Sequence, residues 1–172
     1  MSLINFLYIT YLTTGAEVSL RHLLEQGPVV ISFYRGGWCP YCNLELRALQ
    51  QALPEIKKLG AQLVAISPES PDNSLTTKEK NELEFQVLWD QENIIGKEYG
   101  IVFEYPEYLV EAYRSFGLSI ALRNGSSRHQ LPIPATFVLD QDGIIRFVFA
   151  EEDYTLRVQI KEILDCLRKI KL

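Results

Sequence analysis

The chain has 172 residues, of which 47% are hydrophobic and 23% are charged, which is the composition of an ordinary globular protein of one domain, residues 1–172. Its net charge of −5 and its isoelectric point near 5.1 argue against a nucleic-acid partner. Three cysteines are too few for a disulfide-stapled secreted scaffold, so we expect a reducing, cytoplasmic environment.

The first sixteen residues carry no charged side chain. A signal peptide begins with basic residues, and a membrane span is longer than the apolar run Leu3–Leu12. We therefore expect neither a signal peptide nor a membrane partner. The pattern predicts a strand over Asn5–Tyr11, a turn at Thr13–Gly15, and then a short second strand or a brief helix that Ser19 caps.

The most informative stretch follows these elements. Val29–Tyr34 is a β-branched and aromatic run, which is typical of a strand covered on both faces. Gly36 and Gly37 end it, and apolar residues at near-helical spacing predict a helix over about Asn43–Lys58. The pair Cys39-Pro40-Tyr41-Cys42 therefore lies at the start of a helix.

Two cysteines in this position have a chemical consequence. The unpaired amides at a helix start carry partial positive charge, which lowers the pKa of a thiol and makes it a nucleophile. Arg35 adds positive charge from the same turn, so we expect it to tune that pKa. Because Cys39 and Cys42 are three positions apart, one thiol can reach the other, and we predict a dithiol that cycles through a disulfide.

The rest of the chain continues an α/β pattern. Apolar runs predict strands and polar or amphipathic runs predict helices; the strands are Ala61–Ile66, Gln86–Asp90, Ala135–Asp140 and Ile144–Phe149, and the helices are Ser74–Leu83, Asn93–Tyr99 and Tyr154–Leu172. Val102–Gly125 interrupts the alternation with many aromatic residues, and Leu118–Leu122 within it resembles one more short strand. This aromatic insert can cover the redox site, line a groove, form a dimer face or simply pack on the sheet.

Other readings of the cysteines and their neighbours stay open. A structural zinc site needs about four ligands, and beyond the pair the chain offers only Cys166, His22 and His129, so no metal is expected. The other alternative is that Cys39 and Cys42 are unreactive cysteines of the hydrophobic core. We expect Cys166 to be structural, with a resolving role as the alternative. His129 is expected at the surface, with a general-base role as the alternative. Glu69 is expected as a solvated loop carboxylate, with an approach to the thiols from the carboxyl end of its strand as the alternative.

Three parts of the sequence resemble known families. Trp38–Cys42 is similar to the thioredoxin active site and has the Pro-Tyr interior of glutaredoxins. The longer run Phe33–Leu46, with Ile66–Glu69 and Pro132–Asp140, resembles the peroxiredoxin-like branch of the alkyl hydroperoxide reductase / thiol-specific antioxidant (AhpC/TSA) family. The resemblance extends from about Gly15 to the C-terminus.

The resemblance implies a thioredoxin-like α/β fold. Its central mixed β-sheet is flanked by helices, with an N-terminal strand extension and the aromatic insert before a strand that starts at a cis proline. Pro134 matches that proline, and a cis bond there leaves the Ile133 backbone free to pair with a bound peptide or glutathione. Trp38, Ile133 and Pro134 are accordingly expected to bind substrate, and no cofactor is expected.

The two families imply different roles for the catalytic cysteines. In the thioredoxin assignment Cys39 attacks and Cys42 resolves the mixed disulfide. In the peroxiredoxin assignment Cys42 attacks the peroxide, Glu45 matches an acidic residue that often follows, and Cys39 replaces a Thr or Ser. Pro134 then stands where typical peroxiredoxins carry a catalytic Arg.

The function that these features imply is a thiol-dependent antioxidant oxidoreductase. It is expected to reduce hydrogen peroxide or organic hydroperoxides through the Cys39–Cys42 dithiol, with thioredoxin or glutathione as electron donor. A thioredoxin- or glutaredoxin-like disulfide reductase is the alternative, as is a non-enzymatic redox sensor whose disulfide moves the insert. A homodimer is possible.

Overall fold

The computed structural model describes residues 8–11 and 16–170. A seven-stranded sheet forms its centre, and two further short strands pair beside it. In chain order the strands are β1 Tyr8–Tyr11, β2 Glu17–Ser19, β3 Val29–Phe33, β4 Gln62–Ser67, β5 Gln86–Trp89, β6 Val102–Glu104, β7 Gln130–Pro132, β8 Ala135–Leu139 and β9 Ile145–Ala150.

Helices connect most of these strands. They are α1 Leu20–Gln26, α2 Pro40–Lys58, α3 Pro71–Lys80, α4 Ile94–Glu98, α5 Glu107–Ser115, α6 Ile120–Arg123 and α7 Ile160–Ile170. Within the described part of the chain, none of them is both long and apolar enough to cross a membrane.

The order of the main sheet is β2-β1-β5-β4-β3-β8-β9, and β6 pairs with β7 alone. β3 runs parallel to β4, which runs parallel to β5, whereas β8 is antiparallel to β3. The sheet is therefore mixed. All five residues of β3 are buried, because the strand has a partner on each edge and packed side chains on each face.

The core has a layer on each face of the sheet. On one side α2 and α7 pack through residues such as Leu49, Ile56 and Ile163. On the other side α1 and the α4 region pack through Leu23 and Ile95. This arrangement confirms the predicted fold class, and it places the loops after β3 and β4 at one edge of the sheet, where their residues can meet.

Several element predictions need correction. Leu118–Leu122 is not a strand: its end forms the short helix α6. The short strand β7 follows His129 and was not predicted. The C-terminal helix begins at Ile160 and not at Tyr154. The predicted turn at Thr13–Gly15 lies outside the described residues, and so does the start of the strand predicted over Asn5–Tyr11.

Two local contacts fix the start of α7. The Asp153 carboxylate accepts hydrogen bonds from the amide and the hydroxyl of Thr155, at 3.0 and 2.7 Å, and so forms a turn. The Glu162 carboxylate then accepts a hydrogen bond from the Gln159 amide at 3.2 Å, which caps the helix. Residues 151–159 therefore form an irregular segment between β9 and α7, and this segment approaches the cysteines.

Candidate active site

The two cysteines occupy the first turn of α2. Cys39 is the N-cap residue, its amide donates to the Gly36 carbonyl at 3.1 Å, and Pro40 takes the first helical position. Cys39 is 2% exposed and Cys42 is fully buried. The pair therefore lies just below the surface, at the edge of the sheet where β3 ends.

The two cysteines act on each other's pKa. Hydrogen bonding from the Cys42 side chain lowers the pKa of Cys39 to about 6, helped by the Cys42 amide and by the charges of Arg35 and Arg157, while burial acts against it. The same hydrogen bond, together with burial, raises the pKa of Cys42 well above its ordinary value. Both shifts favour a reduced pair that holds one proton, with the negative charge on Cys39.

The Arg35 guanidinium contacts three aromatic side chains beside the two cysteines. Its Cζ is 4.8 Å from the ring centroid of Trp38 and 4.5 Å from that of Tyr154, and its Nη2 donates to the Tyr113 hydroxyl at 2.8 Å. Arg35 is buried, and no ion pair is found for it in the described part of the chain. The Cys39 thiolate is the negative charge that compensates it.

Arg157 reaches the pair from the segment after β9, and the sequence analysis missed it. Its Nη2 lies 3.6 Å from the Cys42 sulfur, and its Nη1 lies 3.1 Å from Glu45 Oε2. The helix predicted from Tyr154 included Arg157 without assigning it a role. The turn at Asp153 was the signal that a loop precedes the helix.

Glu69 corrects another prediction. It is fully buried and not solvated: Arg123 donates two hydrogen bonds to its Oε1, at 2.7 and 2.9 Å, and Gly37 donates its amide to Oε2 at 2.9 Å. A Cβ on Gly37 would lie only 2.0 Å from Thr77 Oγ1, so the close approach requires glycine. Glu69 holds the turn before the cysteines.

A second group holds the same turn from the helix side. The Asn43 amide donates to the carbonyls of Gly37 and Cys39, at 2.8 and 3.1 Å, and Asn81 donates to Asn43 Oδ1 at 2.8 Å. Gly37 is therefore fixed at both its N–H and its C=O. This network gives the first turn of α2 a defined position relative to α3.

The predicted substrate-binding residues are only partly as expected. No peptide bond among the described residues is cis, so the Ile133–Pro134 bond is trans, which corrects the predicted cis proline. The Ile133 amide donates to the Ile101 carbonyl at 2.7 Å, so its N–H is not free to pair with a ligand. Trp38 packs edge-on against Tyr113 of the insert, with centroids 5.7 Å apart.

The remaining candidates lie away from the pair. His129 stacks on Tyr105, with centroids 5.4 Å apart, and its Nδ1 lies 3.8 Å from Glu107. Cys166 is a free thiol on α7 that packs against the core. Over residues 8–11 and 16–170, no group of three or more His, Cys, Asp and Glu side chains is placed to hold a metal ion.

This fold and this dithiol belong to a recognised class. The family model for the "AhpC/TSA family" matches residues 9–148, which is most of the chain. The chain belongs to that family, and its class is that of thiol-dependent enzymes built on a thioredoxin-like fold.

Individual relatives agree with this class. The chain is 29% identical over 157 residues to "Peroxiredoxin Q, chloroplastic" of Sedum lineare, covering 91% of this chain and 72% of the relative. It is 25% identical over 135 residues to "Peroxiredoxin Bcp" of Escherichia coli (strain K12), covering 78% and 75%. For the peroxiredoxin Q of Suaeda salsa the chain spans only about half of the relative, 52%.

Solved structures show the same fold. The "Peroxidoxin BcpB from Mycobacterium tuberculosis" superposes with a TM-score of 0.75 at 21% identity, covering 95% of this chain and 92% of that chain. The Xanthomonas campestris bacterioferritin comigratory protein superposes with a TM-score of 0.74 at 16% identity, covering both chains fully.

Proposed function

We propose that the protein reduces hydrogen peroxide or organic hydroperoxides through a Cys39–Cys42 dithiol–disulfide cycle. The observation that carries the proposal is the pair itself: two buried cysteines in the first turn of a helix, with Arg35 and Arg157 beside them. Such a thiolate is stabilised at neutral pH, and its partner is in place to close a disulfide.

The proposed reaction has three steps. The Cys39 thiolate attacks one oxygen of the peroxide, the O–O bond breaks, and the leaving alkoxide or hydroxide takes a proton to become an alcohol or water; Cys39 is now a sulfenic acid. The Cys42 sulfur then attacks the Cys39 sulfur, the S–OH bond breaks, and the hydroxyl leaves as water with the Cys42 proton. Finally two external thiols reduce the disulfide and are themselves oxidised to a disulfide.

The site supplies hydrogen-bond donors for the peroxide. Arg35 Nε, Trp38 Nε1 and Arg157 Nε are buried and have no acceptor among the described residues. Peroxide oxygens are acceptors that fit them. Pro134 offers no donor, so we expect slower turnover than in an enzyme that carries a guanidinium at that position.

The electron donor that we propose is thioredoxin or glutathione, in a reducing, cytoplasmic compartment. A disulfide between residues three positions apart closes only a small ring, and exchange with an external thiolate reopens it.

The homodimer named in the sequence analysis stays a prediction, which light scattering on the purified protein tests.

A disulfide reductase is the second candidate. The lowered pKa of Cys39 and its N-cap position suit attack on a protein disulfide as well as on a peroxide. The Pro40-Tyr41 interior, which resembles that of glutaredoxins, also favours this reading.

One experiment separates the two candidates and the sensor alternative. The purified protein is given hydrogen peroxide or cumene hydroperoxide with thioredoxin, its reductase and NADPH, and then with glutathione. Steady peroxide loss that disappears in both Cys39→Ser and Cys42→Ser supports the peroxidase. No peroxide loss, with steady reduction of a mixed-disulfide substrate, supports the reductase. A single oxidation without turnover supports the sensor.

A further inference from the structure

Tyr154 contacts the turn that carries the cysteines, although it belongs to the segment between β9 and α7. Its ring centroid lies 4.5 Å from Arg35 Cζ, and its ring packs edge-on against that of Tyr41, with centroids 5.8 Å apart. Arg35 and Tyr41 flank Cys39 in the sequence. The Tyr154 ring therefore contacts the turn on both sides of Cys39.

Cys39 is much less exposed than the rings beside it. It is 2% exposed, whereas Tyr41 is 40% and Tyr154 is 45% exposed. A buried cysteine at a helix start beside two half-exposed rings is separated from solvent by a single layer of side chains. Any molecule that reacts with the Cys39 sulfur has to pass this layer, so the space between its side chains limits what can react.

The segment that carries Tyr154 is held to the rest of the protein by few contacts. Residues 151–156, which we call the strap, are all exposed. The hydrogen bonds found for the strap in the described part of the chain are local: Asp153 accepts from Thr155, and its carbonyl accepts from the Leu156 amide at 3.0 Å. The strap can therefore lift away from the cysteine turn by giving up the contacts of the Tyr154 ring, with no hydrogen bond to the core to break.

We infer that Tyr154 is a specificity-determining residue: its ring covers the turn at Cys39 and favours small oxidants such as hydrogen peroxide over bulkier hydroperoxides and disulfides. This inference rests on the proposed dithiol cycle and names the substrate class that the closed site prefers. Opening of the strap admits larger molecules, and it costs the ring its contacts with Arg35 and Tyr41.

The two ring contacts determine the size of this preference. A cation–π contact and an edge-on aromatic pair each change an equilibrium constant several-fold, so together they favour the closed strap by about tenfold or more. Hydrogen peroxide is little larger than water and can pass beside the ring. Cumene hydroperoxide carries a phenyl ring of its own and needs the space that Tyr154 occupies, so its reaction is slowed in proportion to the small open fraction.

The first test measures access to Cys39 without any peroxide. In a Cys42→Ser, Cys166→Ser background Cys39 is the only thiol. Its rate constants with N-ethylmaleimide and with the much larger N-(1-pyrenyl)maleimide are measured and normalised to those of free glutathione. The two reagents react by the same chemistry, so a change in the thiolate fraction alters both rates equally. The ratio of the two rates therefore reports access alone.

Three variants are compared with the parent. Tyr154→Ala removes the ring, and Tyr154→Phe keeps it. Tyr108→Ala is the matched control, because Tyr108 is an exposed tyrosine of α5, with 69% of its surface accessible. We expect the ratio of bulky to small reagent to rise by about tenfold in Tyr154→Ala and to stay within about twofold of the parent in Tyr154→Phe and Tyr108→Ala.

The second test applies the same variants to turnover, with all three cysteines in place. The kcat/KM for cumene hydroperoxide, divided by that for hydrogen peroxide, should rise by about tenfold in Tyr154→Ala and should not change in the other two variants. A parent protein that consumes neither peroxide would overturn only the proposed peroxidase function, because the maleimide ratio still decides the role of Tyr154.

An unchanged maleimide ratio in a folded Tyr154→Ala variant would overturn the inference, whether the two rates stay the same or rise together. A joint rise would mean that the ring alters the reactivity of the thiol and not the access to it. Circular dichroism and thermal unfolding check that each variant folds. If Tyr154→Ala does not fold, Tyr41→Ala takes its place, because it removes the aromatic partner of the Tyr154 ring, and an unchanged ratio there would be equally decisive.

Discussion

Replacing Cys42 by alanine tests the origin of the Cys39 reactivity. The change removes the hydrogen bond that contributes most to the low pKa of Cys39, about 6 against an ordinary 9.0. At pH 7 a thiol with the first value is roughly nine-tenths thiolate, whereas one with the second is thiolate in only about one molecule in a hundred. Arg35, Arg157 and the amide of residue 42 remain in the variant, so its pKa should fall between these values.

The assay is the rate of alkylation of Cys39 by iodoacetamide as a function of pH, in a Cys166→Ser background. The thiolate is the reactive form, so the rate rises as pH rises through the pKa and levels off above it. We expect a midpoint near pH 6 with Cys42 present and a clearly higher midpoint in Cys42→Ala. Cys42→Ser is the control, because a serine hydroxyl can still donate to the thiolate.

The reasoning is refuted if the midpoint of Cys42→Ala stays near that of the parent. The low pKa would then come from the helix amides and the two arginines. A parent midpoint near the ordinary cysteine value would be a more serious failure, because it would remove the nucleophile on which the proposed cycle depends.

Three further predictions concern the surroundings of the pair. Gly37→Ala should lower the free energy of unfolding by about 1–3 kcal/mol in urea titrations, because its Cβ meets Thr77 Oγ1; Thr77→Ala should recover part of this loss, and full stability in the single variant would contradict the clash. Glu69→Gln should cost about 2 kcal/mol in the same assay, because the half-buried Arg123 loses the charge of the buried carboxylate that it contacts; a cost near zero would count against that pair. Cys166→Ser should leave steady peroxide turnover unchanged. A loss of turnover in this variant would assign the resolving role to Cys166.

Much of the fold could be predicted because local patterns determine it. Val29–Tyr34 is apolar throughout, as a strand with partners on both edges must be, and the structure has β3 at Val29–Phe33. The spacing of leucines along α2 likewise follows from the face that it buries. The position of the two cysteines at the helix start followed from these two elements alone.

The charged residues around the pair could not be predicted in the same way. Glu69 is buried because Arg123, 54 positions later, neutralises it, and nothing near Glu69 in the sequence signals that partner. Arg157 meets Glu45 across 112 positions. Such contacts depend on how distant segments pack. The cis proline was inferred from resemblance at Pro134, and the pairing of the Ile133 amide with Ile101 depends on that same packing.

The fixed turn before the cysteines affects how binding partners can recognise the two redox forms of the protein. Glu69 and Asn43 hold Gly37 through hydrogen bonds that involve neither sulfur, and the two cysteines already interact before they bond. We therefore expect oxidation to leave the outer surface unchanged. A partner that recognises shape would find the two redox forms alike, and only a thiol that reaches the sulfurs could tell them apart. A surface that is the same in both redox forms suits a catalyst that must return to its starting form many times.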